Sequence, residues 1–338
     1  MSYLLKHNLL FILIISFFAR IFGILMFRDL EVDHEWGILL SNLELFGVLS
    51  VHTVQGEIVP NIFMPPLYPL FLYLIKFFFN NIDTFLWTVQ FTQLFLSLIT
   101  IFLTYRILLK FFSKNLSIIG TLVFALFPLN IYAVSQISSI TLQVFLLNVF
   151  LYSYFKLFKN INFKYTMVFS LASGLLMLLR GEYFIFVILS LFYLYFKKKQ
   201  FIKIITIALI SLIVVSPYLY RNYNIFGVIT ITKSSGYNLL KGNHPRTKVE
   251  GVGMCGKIEK VIPEVKQKLL ELKSKGPQEK YDLLQDQILM EQAIVFIKDE
   301  PLRYVTLYFK KFMSFLFIDL NASYNNYYSP MHIIPKII

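Results

Sequence analysis

The densest group of ionisable side chains directly follows the first apolar segment of the chain. Four carboxylates and one imidazole occur close together: Asp29, Glu31, Asp33, His34 and Glu35. Apolar residues then recur at spacings of three and four: Trp36, Leu39, Leu40, Leu43 and Gly47. This spacing predicts a helix that lies in a membrane interface and has Asp33 at its N-terminus. A carboxylate there can act as a general base toward a hydroxyl group or simply cap the helix, and the spacing leaves both roles open.

Two arginines lie within apolar segments, where a charge is costly. Arg20 lies most of the way along the first segment, and Arg180 lies at the end of a later one. An ionised side chain at the centre of a membrane helix costs at least about 2.5 to 3.5 kcal/mol, so each arginine is a candidate functional residue. A guanidinium can bind phosphate through paired hydrogen bonds. The alternative is that the side chain extends to the interface or pairs with an acid such as Asp33 or Glu182, and this alternative is stronger for Arg20.

Histidines give a weaker indication of metal binding. His34 next to Glu35, and His52 near Glu57, could supply ligands to a divalent metal ion. No dense histidine motif accompanies them, so the sequence favours histidines on a loop surface. Cys255 is the only cysteine, which excludes an intramolecular disulfide and a cysteine-rich metal site.

The elements that must position these residues are membrane helices. Of the 338 residues, 57% are hydrophobic and only 15% are charged, whereas about 25% are charged in a typical soluble protein. At least seven apolar stretches precede Arg221, and a helix needs about 20 apolar residues to cross a bilayer. The composition therefore excludes a soluble domain and predicts an all-α polytopic membrane protein.

The net charge of +13 reflects membrane topology and not a nucleic-acid partner. Between Thr84 and Lys203, Glu182 is the only acidic residue. Eleven basic residues fall in clusters at alternate ends of successive apolar segments: Lys6; Arg106, Lys110 and Lys114; Lys156, Lys159 and Lys164; and Lys197, Lys198, Lys199 and Lys203. Such clusters are typical of cytoplasmic loops, so we expect them inside the cell and the acidic loop outside.

Seven spans follow from this topology, the first running outward. Their approximate bounds are 9–27, 87–109, 117–134, 140–155, 165–179, 183–196 and 204–220. The apolar run 67–79 has only thirteen residues and follows two prolines, which favours an interfacial or re-entrant helix over a span. A crossing there would also move every later lysine cluster outside.

Three regions follow along the chain. Residues 1–219 form a transmembrane bundle with an external loop at 28–82. Residues 220–300 carry thirteen basic and ten acidic residues, which indicates an external soluble segment that is mostly helical. Within it, apolar residues at helical spacing predict an amphipathic helix that ends before Pro301: Leu283, Met290, Ile294 and Ile297. Residues 301–338 carry Lys310 and Lys311 within an apolar run, so they form either a further span or an interfacial helix.

Several short motifs occur in order along the chain. In and after the acidic loop they are Asp33, Trp36, Asn42-Leu43, Gly47, Ser50 and Pro65-Pro66-Leu67-Tyr68-Pro69-Leu70. Further on they are Leu179-Arg180-Gly181-Glu182, Pro217, Arg221-Asn222-Tyr223, Phe226-Gly227, Gly236, Asn238-Leu239, Gly242-Asn243, Glu291, Ala293, Phe296-Ile297 and Pro301. In this order they resemble the bacterial membrane glycosyltransferases related to protein O-mannosyltransferases and to the lipid A aminoarabinose transferase, a group similar to glycosyltransferase family 39. Such enzymes have the GT-C architecture.

The resemblance implies a transmembrane catalytic bundle of the GT-C type. It would transfer a hexosyl or pentosyl group, with inversion, from a polyprenyl-phosphate-linked sugar to a lipid, glycan or protein acceptor. Asp33 matches the family's loop-one aspartate, which implies the role of catalytic base. The residues implied in substrate binding are Arg180, Arg20, Arg221, Glu35 and Tyr68. The active site would face the periplasmic side of a bacterial inner membrane, in contact with membrane lipids. Whether a divalent metal ion binds at His34 and Glu35 is left open.

The chain also departs from this family. Gly181 stands where relatives often have proline, and Trp36 stands where tyrosine is commoner. Relatives usually continue through several further spans, so we expect a truncated member or a fragment.

Two other classes of function compete with a transferase. A transporter or lipid flippase also uses buried arginines and acids, but inverted repeats and broken helices near mid-membrane would be expected, and the sequence shows no repeat. A non-catalytic membrane scaffold, whose external segment would bind a partner, is disfavoured by the acid cluster of the first loop, but the expected truncation leaves it open.

Overall fold

The computed structural model describes residues 2–249 and 262–318, together with residues 333 and 337. Within them the chain is mostly helical, with one short antiparallel sheet of β1 (Thr53–Val54) and β2 (Glu57–Ile58). The helices are α1 (Ser2–Phe27), α2 (His34–Phe46), α3 (Leu67–Phe78), α4 (Ile82–Leu108), α5 (Lys114–Leu126), α6 (Pro128–Ser135), α7 (Ile140–Lys159), α8 (Phe163–Leu179), α9 (Tyr183–Lys198), α10 (Phe201–Phe226), α11 (Ser235–Gly242), α12 (Pro263–Ser274), α13 (Tyr281–Asp299) and α14 (Pro301–Leu316). Cys255 lies outside the described residues.

Among the described residues, four helices are long and apolar enough to cross a membrane: α1, α4, α7 and α10. The pair α5 and α6 is a fifth candidate that bends by 45°. The bend occurs at Pro128, which has no amide hydrogen to continue the hydrogen bonding of α5. Helices α8 and α9 coincide with predicted spans but have only 17 and 16 residues. All seven predicted spans therefore correspond to helices when α5 and α6 are counted as one bent span. Five of the seven are long enough to cross a membrane. The predicted all-α polytopic membrane fold is confirmed.

The two helices on either side of residues 47–66, α2 and α3, are short. Helix α2 directly follows Asp33 and buries Leu39 and Leu40, which confirms the predicted helix and its apolar side. Helix α3 has 12 residues and buries Tyr68 and Leu72. A helix of this length covers only about 18 Å, so α3 is too short to cross a bilayer, as the sequence predicts. Helices α2 and α3 pack against each other.

The chain divides into two compact units. The first consists of Met1–Phe46 and Pro65–Arg221, and the second of Gly47–Met64 and Asn222–Ile338. In the first unit, α4 packs against α1, α5 and α7, and α7 packs against α8. The domain bounds expected from the sequence stay a prediction. The structure adds that one part of the first loop, Gly47–Met64, folds with the second unit.

Glycine permits a close helix contact in the first unit. A Cβ atom on Gly174 of α8 would lie 2.5 Å from the Cβ of Val214 in α10. Small residues at such crossings let membrane helices approach closely and gain van der Waals contact.

Two buried carboxylates organise the second unit. Asp282 accepts hydrogen bonds from the backbone amides of Ile62 at 3.0 Å and Phe63 at 3.2 Å. Asp286 accepts one from the amide of Tyr237 at 3.0 Å. Both carboxylates lie on one side of α13, so α13 holds the loop segment Gly47–Met64 and helix α11 through their backbones.

Helix α13 confirms the amphipathic helix predicted before Pro301, and its buried face also includes polar residues. The residues that the structure buries are Tyr281, Asp282, Asp286, Leu289, Gln292 and Ala293. The apolar residues whose spacing predicted this helix are only partly covered, and Ile294 is exposed. The physical reason is that backbone amides of distant segments pair with the two aspartates, which turns the polar edge of the helix inward.

Candidate functional site

The end of α1 is hydrogen-bonded to the junction between α6 and α7. The amide of Asp29 donates to the carbonyl of Ser135 at 3.1 Å, and its carboxylate accepts from the amide of Ile137 at 2.7 Å. Gln90 of α4 donates to the carbonyls of Asp29 and Ser135 at 3.0 and 3.1 Å. These contacts bring the acidic loop, α4 and the α6–α7 junction together at one end of the first unit, which we name the acidic end.

A second set of contacts connects the acidic end to α2. Gln93 of α4 is fully buried and donates to the carbonyl of Gln136 at 2.8 Å. Its side-chain oxygen accepts from the hydroxyl of Tyr68 in α3 at 3.4 Å. The Tyr68 ring meets the Trp36 ring of α2 edge-on, with centroids 5.0 Å apart. Burial, and then the nearby charge of Asp29, raise the pKa of Tyr68, so its hydroxyl remains a donor.

Asp33 lies at the start of α2 with its side chain exposed. Its carbonyl accepts from the amide of Gly37 at 3.4 Å. Gly37 also permits a tight approach of the preceding chain, because an added Cβ would lie only 2.2 Å from the carbonyl oxygen of Val32. Val32 directly precedes Asp33, and Trp36 follows it by one turn. The packing of Gly37 and Trp36 therefore determines where the carboxylate of Asp33 lies.

Arg180 ends α8 at the acidic end. Gln143, in the first turn of α7, donates to the hydroxyl of Tyr183 at 2.9 Å, and Tyr183 begins α9 just after the turn that holds Arg180. The guanidinium Nη1 lies 3.5 Å from Glu182, and the two side chains are 42% and 69% exposed. The Arg180 Nε is buried and has no hydrogen-bond partner among the described residues. This guanidinium therefore keeps donors that an anion could engage.

Two further arginines lie in α1 and directly after it, Arg20 and Arg28. Arg20 is fully buried, and its Nε donates to the Ser97 hydroxyl at 2.8 Å and its Nη1 to the Ala125 carbonyl at 3.0 Å. These bonds join α1 to α4 and α5. The Arg28 guanidinium lies 3.9 Å over the ring of Trp87. Within the described part of the chain, its Nε and Nη2 are buried and make no hydrogen bond.

The structure brings some predicted site residues together and leaves others apart. Asp33, Tyr68 and Arg180 lie at the acidic end, whereas Arg20 lies inside the bundle. Glu35 is exposed in the first turn of α2, close to Asp33 in the chain. Arg221 lies toward the end of α10 and is partly buried. The substrate-binding roles assigned to Arg20, Arg221, Glu35 and Tyr68 stay predictions.

Metal-ligating side chains are not grouped in the part of the chain that the structure describes. No cluster of three histidine, cysteine, aspartate or glutamate side chains occurs there. His52 uses its Nδ1 atom in a 2.6 Å contact with Asp282 inside the second unit. The side chain of His34 lies outside what is described. A metal at His34 and Glu35 remains a prediction.

The basic clusters lie at the opposite end of the same bundle. The Lys198 ammonium donates to the carbonyl of Lys159 at 3.4 Å. Lys110 lies 5.0 Å from the ring centroid of Phe155 near the end of α7. Burial, and then the nearby positive charge of Lys156, lower the pKa of Lys110 to about 8. Helix α7 begins at the acidic end and finishes among these lysines, so its length of about 30 Å separates the two ends.

The polar residues at the acidic end were mostly missed from the sequence. Asp29 is one of the clustered acids, and the sequence predicts no role for it or for Arg28, Gln90 and Gln93. The available signal was the pair of glutamines three residues apart, because Gln90 and Gln93 fall on one face of an otherwise apolar helix. Buried amides need hydrogen-bond partners, so this pair indicates a polar contact between helices.

Comparison with known families gives a match to a family of membrane transferases. Residues 64–220 match the family model described as dolichyl-phosphate-mannose-protein mannosyltransferase. The matched range contains Tyr68 and Arg180 and begins after Asp33. No curated protein matches the chain, and no solved structure matches it either. The family match confirms the resemblance to membrane glycosyltransferases of the GT-C type, and the apolar helices support an integral membrane protein.

Proposed function

We propose that the protein transfers a sugar from a polyprenyl-phosphate-linked donor to an acceptor at the external face of a bacterial cell membrane. The proposal rests on the polarity of the first unit, which has Asp33, Arg28 and Arg180 at one end and the lysine clusters at the other. A donor with its polyprenyl tail in the bilayer presents phosphate and sugar at the membrane surface. Lysine clusters are typical of the cytoplasmic side, which favours an external position for the acidic end.

Asp33 is the catalytic base in this proposal. Its ionised carboxylate takes the proton of the acceptor hydroxyl while the hydroxyl oxygen attacks the anomeric carbon. The bond between that carbon and the phosphate oxygen breaks, and the polyprenyl phosphate leaves with the bonding electron pair. A single displacement of this kind inverts the configuration of the sugar. The exposed position of Asp33 gives the acceptor access to the carboxylate.

Arg180 and Arg28 stabilise the leaving phosphate. Negative charge grows on the phosphate as the bond breaks, and fixed cations aimed at developing charge lower the barrier. Both guanidiniums have buried nitrogens that make no hydrogen bond within the described residues. A buried donor without a partner costs about 1–3 kcal/mol, and a phosphate oxygen would remove that cost. Arg221 is a further candidate for the phosphate, and Glu35 for the acceptor side.

Tyr68 and Arg20 take supporting roles as well as their predicted substrate contacts. Tyr68 is fully buried between Trp36 and Gln93, so it positions the helix that carries Asp33. Arg20 holds α1 against α4 and α5 below the site. The acceptor is a lipid, a glycan or a protein hydroxyl, and the donor sugar is a hexose or a pentose.

The activity is tested with the purified full chain in proteoliposomes. Polyprenyl-phosphate sugars labelled in the sugar, mannose first, are supplied together with a membrane extract as the source of acceptors. We expect the label to leave the donor lipid, join an acceptor and release polyprenyl phosphate. Release of no polyprenyl phosphate from any donor of a panel of hexoses and pentoses would contradict the proposal.

The external position is tested by cysteine labelling of intact cells in a Cys255→Ser background. Glu57→Cys and Asn115→Cys place single exposed thiols in the first loop and beside a lysine cluster. A membrane-impermeant maleimide should label Glu57→Cys and should leave Asn115→Cys unlabelled until the cells are opened. The reverse pattern would reject the topology.

A further inference from the structure

Helix α14 has a well-defined inner face within the second unit. The buried residues of this face are Tyr304, Leu307 and Ser314. Lys311, on the same face, donates to the carbonyl of Gly242 at 2.5 Å, and Arg303 donates to the carbonyl of Pro245. These contacts fix the rotation of α14 about its own axis, and so they fix which residues point outward.

The outward face is a stripe of large apolar side chains, each about half exposed or more. Its members recur at helical spacing: Leu302, Val305, Phe309, Phe312, Met313 and Leu316. Their exposed fractions run from 49% at Leu316 to 83% at Leu302. Single exposed apolar residues are ordinary on a protein surface, but a contiguous group of this size marks an interaction surface.

Positive charge borders this stripe. Arg303 and Lys310 are seven residues apart and therefore lie on the same flank of the helix, between the stripe and the buried face. The sequence of α14 contains no acidic residue, and Glu300, directly before it, lies 3.9 Å from Arg303, which leaves Lys310 as the exposed cation of this flank. The outward surface is therefore complementary to an apolar layer bordered by anions.

Helix α14 is short for a membrane crossing, but α9 has the same 16 residues, so the cations beside the apolar face of α14 and its contacts with the rest of the second unit decide between a crossing and an interfacial position. The 16 residues of α14 span about 24 Å, against about 30 Å of hydrocarbon in a bilayer. An amphipathic helix with cations beside its apolar face lies in the plane of the interface, with the apolar side chains about 5–10 Å into the headgroup and acyl boundary.

We propose that α14 is an interfacial helix that binds a bilayer surface containing anionic phospholipids. The stripe inserts among the acyl chains, and Lys310 contacts headgroup phosphates. This inference concerns the second unit alone and is independent of the proposed transferase activity. It also chooses between the span and the interfacial helix that the sequence left open for residues 301–338.

The depth of α14 is tested in the full chain carrying Cys255→Ser, reconstituted in bilayer discs. A nitroxide is attached in turn at Val305, Phe309 and Phe312, and at Lys310 for comparison. Its collisions with oxygen and with a water-soluble nickel chelate report depth. We expect the three stripe positions at a similar depth of about 5–10 Å, and Lys310 at the aqueous boundary.

Three results would overturn the interfacial arrangement. Depth that increases steadily along the helix would indicate a span. Full access of the nickel chelate to the stripe would indicate a helix in water. Dipolar broadening between nitroxides would indicate that a second copy of the chain covers the stripe.

The charge requirement is tested by comparing discs of phosphatidylcholine with discs that also contain phosphatidylglycerol. Lys310→Glu should make the nitroxide at Phe309 shallower in the anionic discs, with a smaller change in the neutral ones. Lys268→Glu, an equal charge reversal on the exposed side of α12, should leave the depth unchanged. An equal effect of Lys310→Glu in both kinds of disc would overturn the role of anionic headgroups.

Discussion

Replacing Gly37 by alanine should displace the proposed catalytic base without removing it. The added Cβ would lie 2.2 Å from the Val32 carbonyl oxygen, and ordinary contact begins at 3.4 Å. The chain before α2 must therefore move by about 1.2 Å at the residue next to Asp33. A misplacement of about 1 Å can reduce catalysis roughly 100-fold, which is about 2.7 kcal/mol of barrier.

The fold should tolerate this substitution. Alanine favours a helix over glycine by about 0.5–1 kcal/mol, while the steric conflict costs about 1–3 kcal/mol, so the net loss of stability is about 0–2.5 kcal/mol. We expect kcat for sugar transfer to fall about 100-fold, with little change in KM for the donor, because Arg28 and Arg180 are untouched.

The assay compares Gly37→Ala with the parent chain and with Gly242→Ala in the same proteoliposomes. Gly242 is a matched control, because a Cβ there meets its nearest neighbour, the Lys311 ammonium, at 3.5 Å. Gly242→Ala should retain parental kcat. A Gly37→Ala enzyme with kcat within threefold of the parent would refute the reasoning, since the position of Asp33 would then not depend on this contact.

Three further predictions concern stability, pH and donor binding. In the second unit, Gly236→Ala should lower the free energy of unfolding by about 2–3 kcal/mol, because its Cβ would lie 2.0 Å from the Asp286 carbonyl oxygen. Thermal unfolding of the full chain tests this, with Gly242→Ala as the control. Equal melting temperatures of the two variants would contradict the prediction. Burial, and then the charges of Arg303, Lys311 and Arg246, lower the pKa of His244 below 6.5. The unfolded chain therefore binds a proton on His244 more readily than the folded chain does. Stability of the second unit should be constant above pH 6.5 and should fall as the pH drops below it, and hydrogen exchange of α11 should show no such fall in His244→Gln. Arg180→Lys keeps the charge but loses the planar fork, so it should raise KM for the donor while the protein still inserts; unchanged kinetics in both Arg180→Lys and Arg180→Ala would indicate that Arg180 only extends to the interface.

The helices could be predicted from the sequence because their signals are local. Apolar length and lysine clusters identify the spans, and the spacing of Trp36, Leu39 and Leu40 identifies α2 and its inner side. Pro128 marks the bend between α5 and α6, although the sequence alone did not separate a bend from a straight span.

The contacts between distant segments could not be predicted in the same way. The buried face of α13 depends on which backbone amides reach Asp282 and Asp286, and those amides are far away in the chain. The role of Asp29 likewise depends on the α6–α7 junction, more than 100 residues later. Periodicity describes one element at a time, so it places Asp33 at a helix start but does not show that Gly37, Trp36 and Tyr68 hold it there.

The most direct test of the central proposal is sugar transfer by Asp33→Asn, measured beside Glu31→Gln. Asparagine keeps the size of the side chain and can still cap α2, and Glu31→Gln removes an equal charge from an exposed neighbour in the same loop. If Asp33 is the base, Asp33→Asn should insert normally and bind donor lipid but lose roughly 100-fold or more in turnover, while Glu31→Gln retains parental turnover. Turnover of Asp33→Asn within a few-fold of the parent would contradict the account and leave Asp33 as a helix cap.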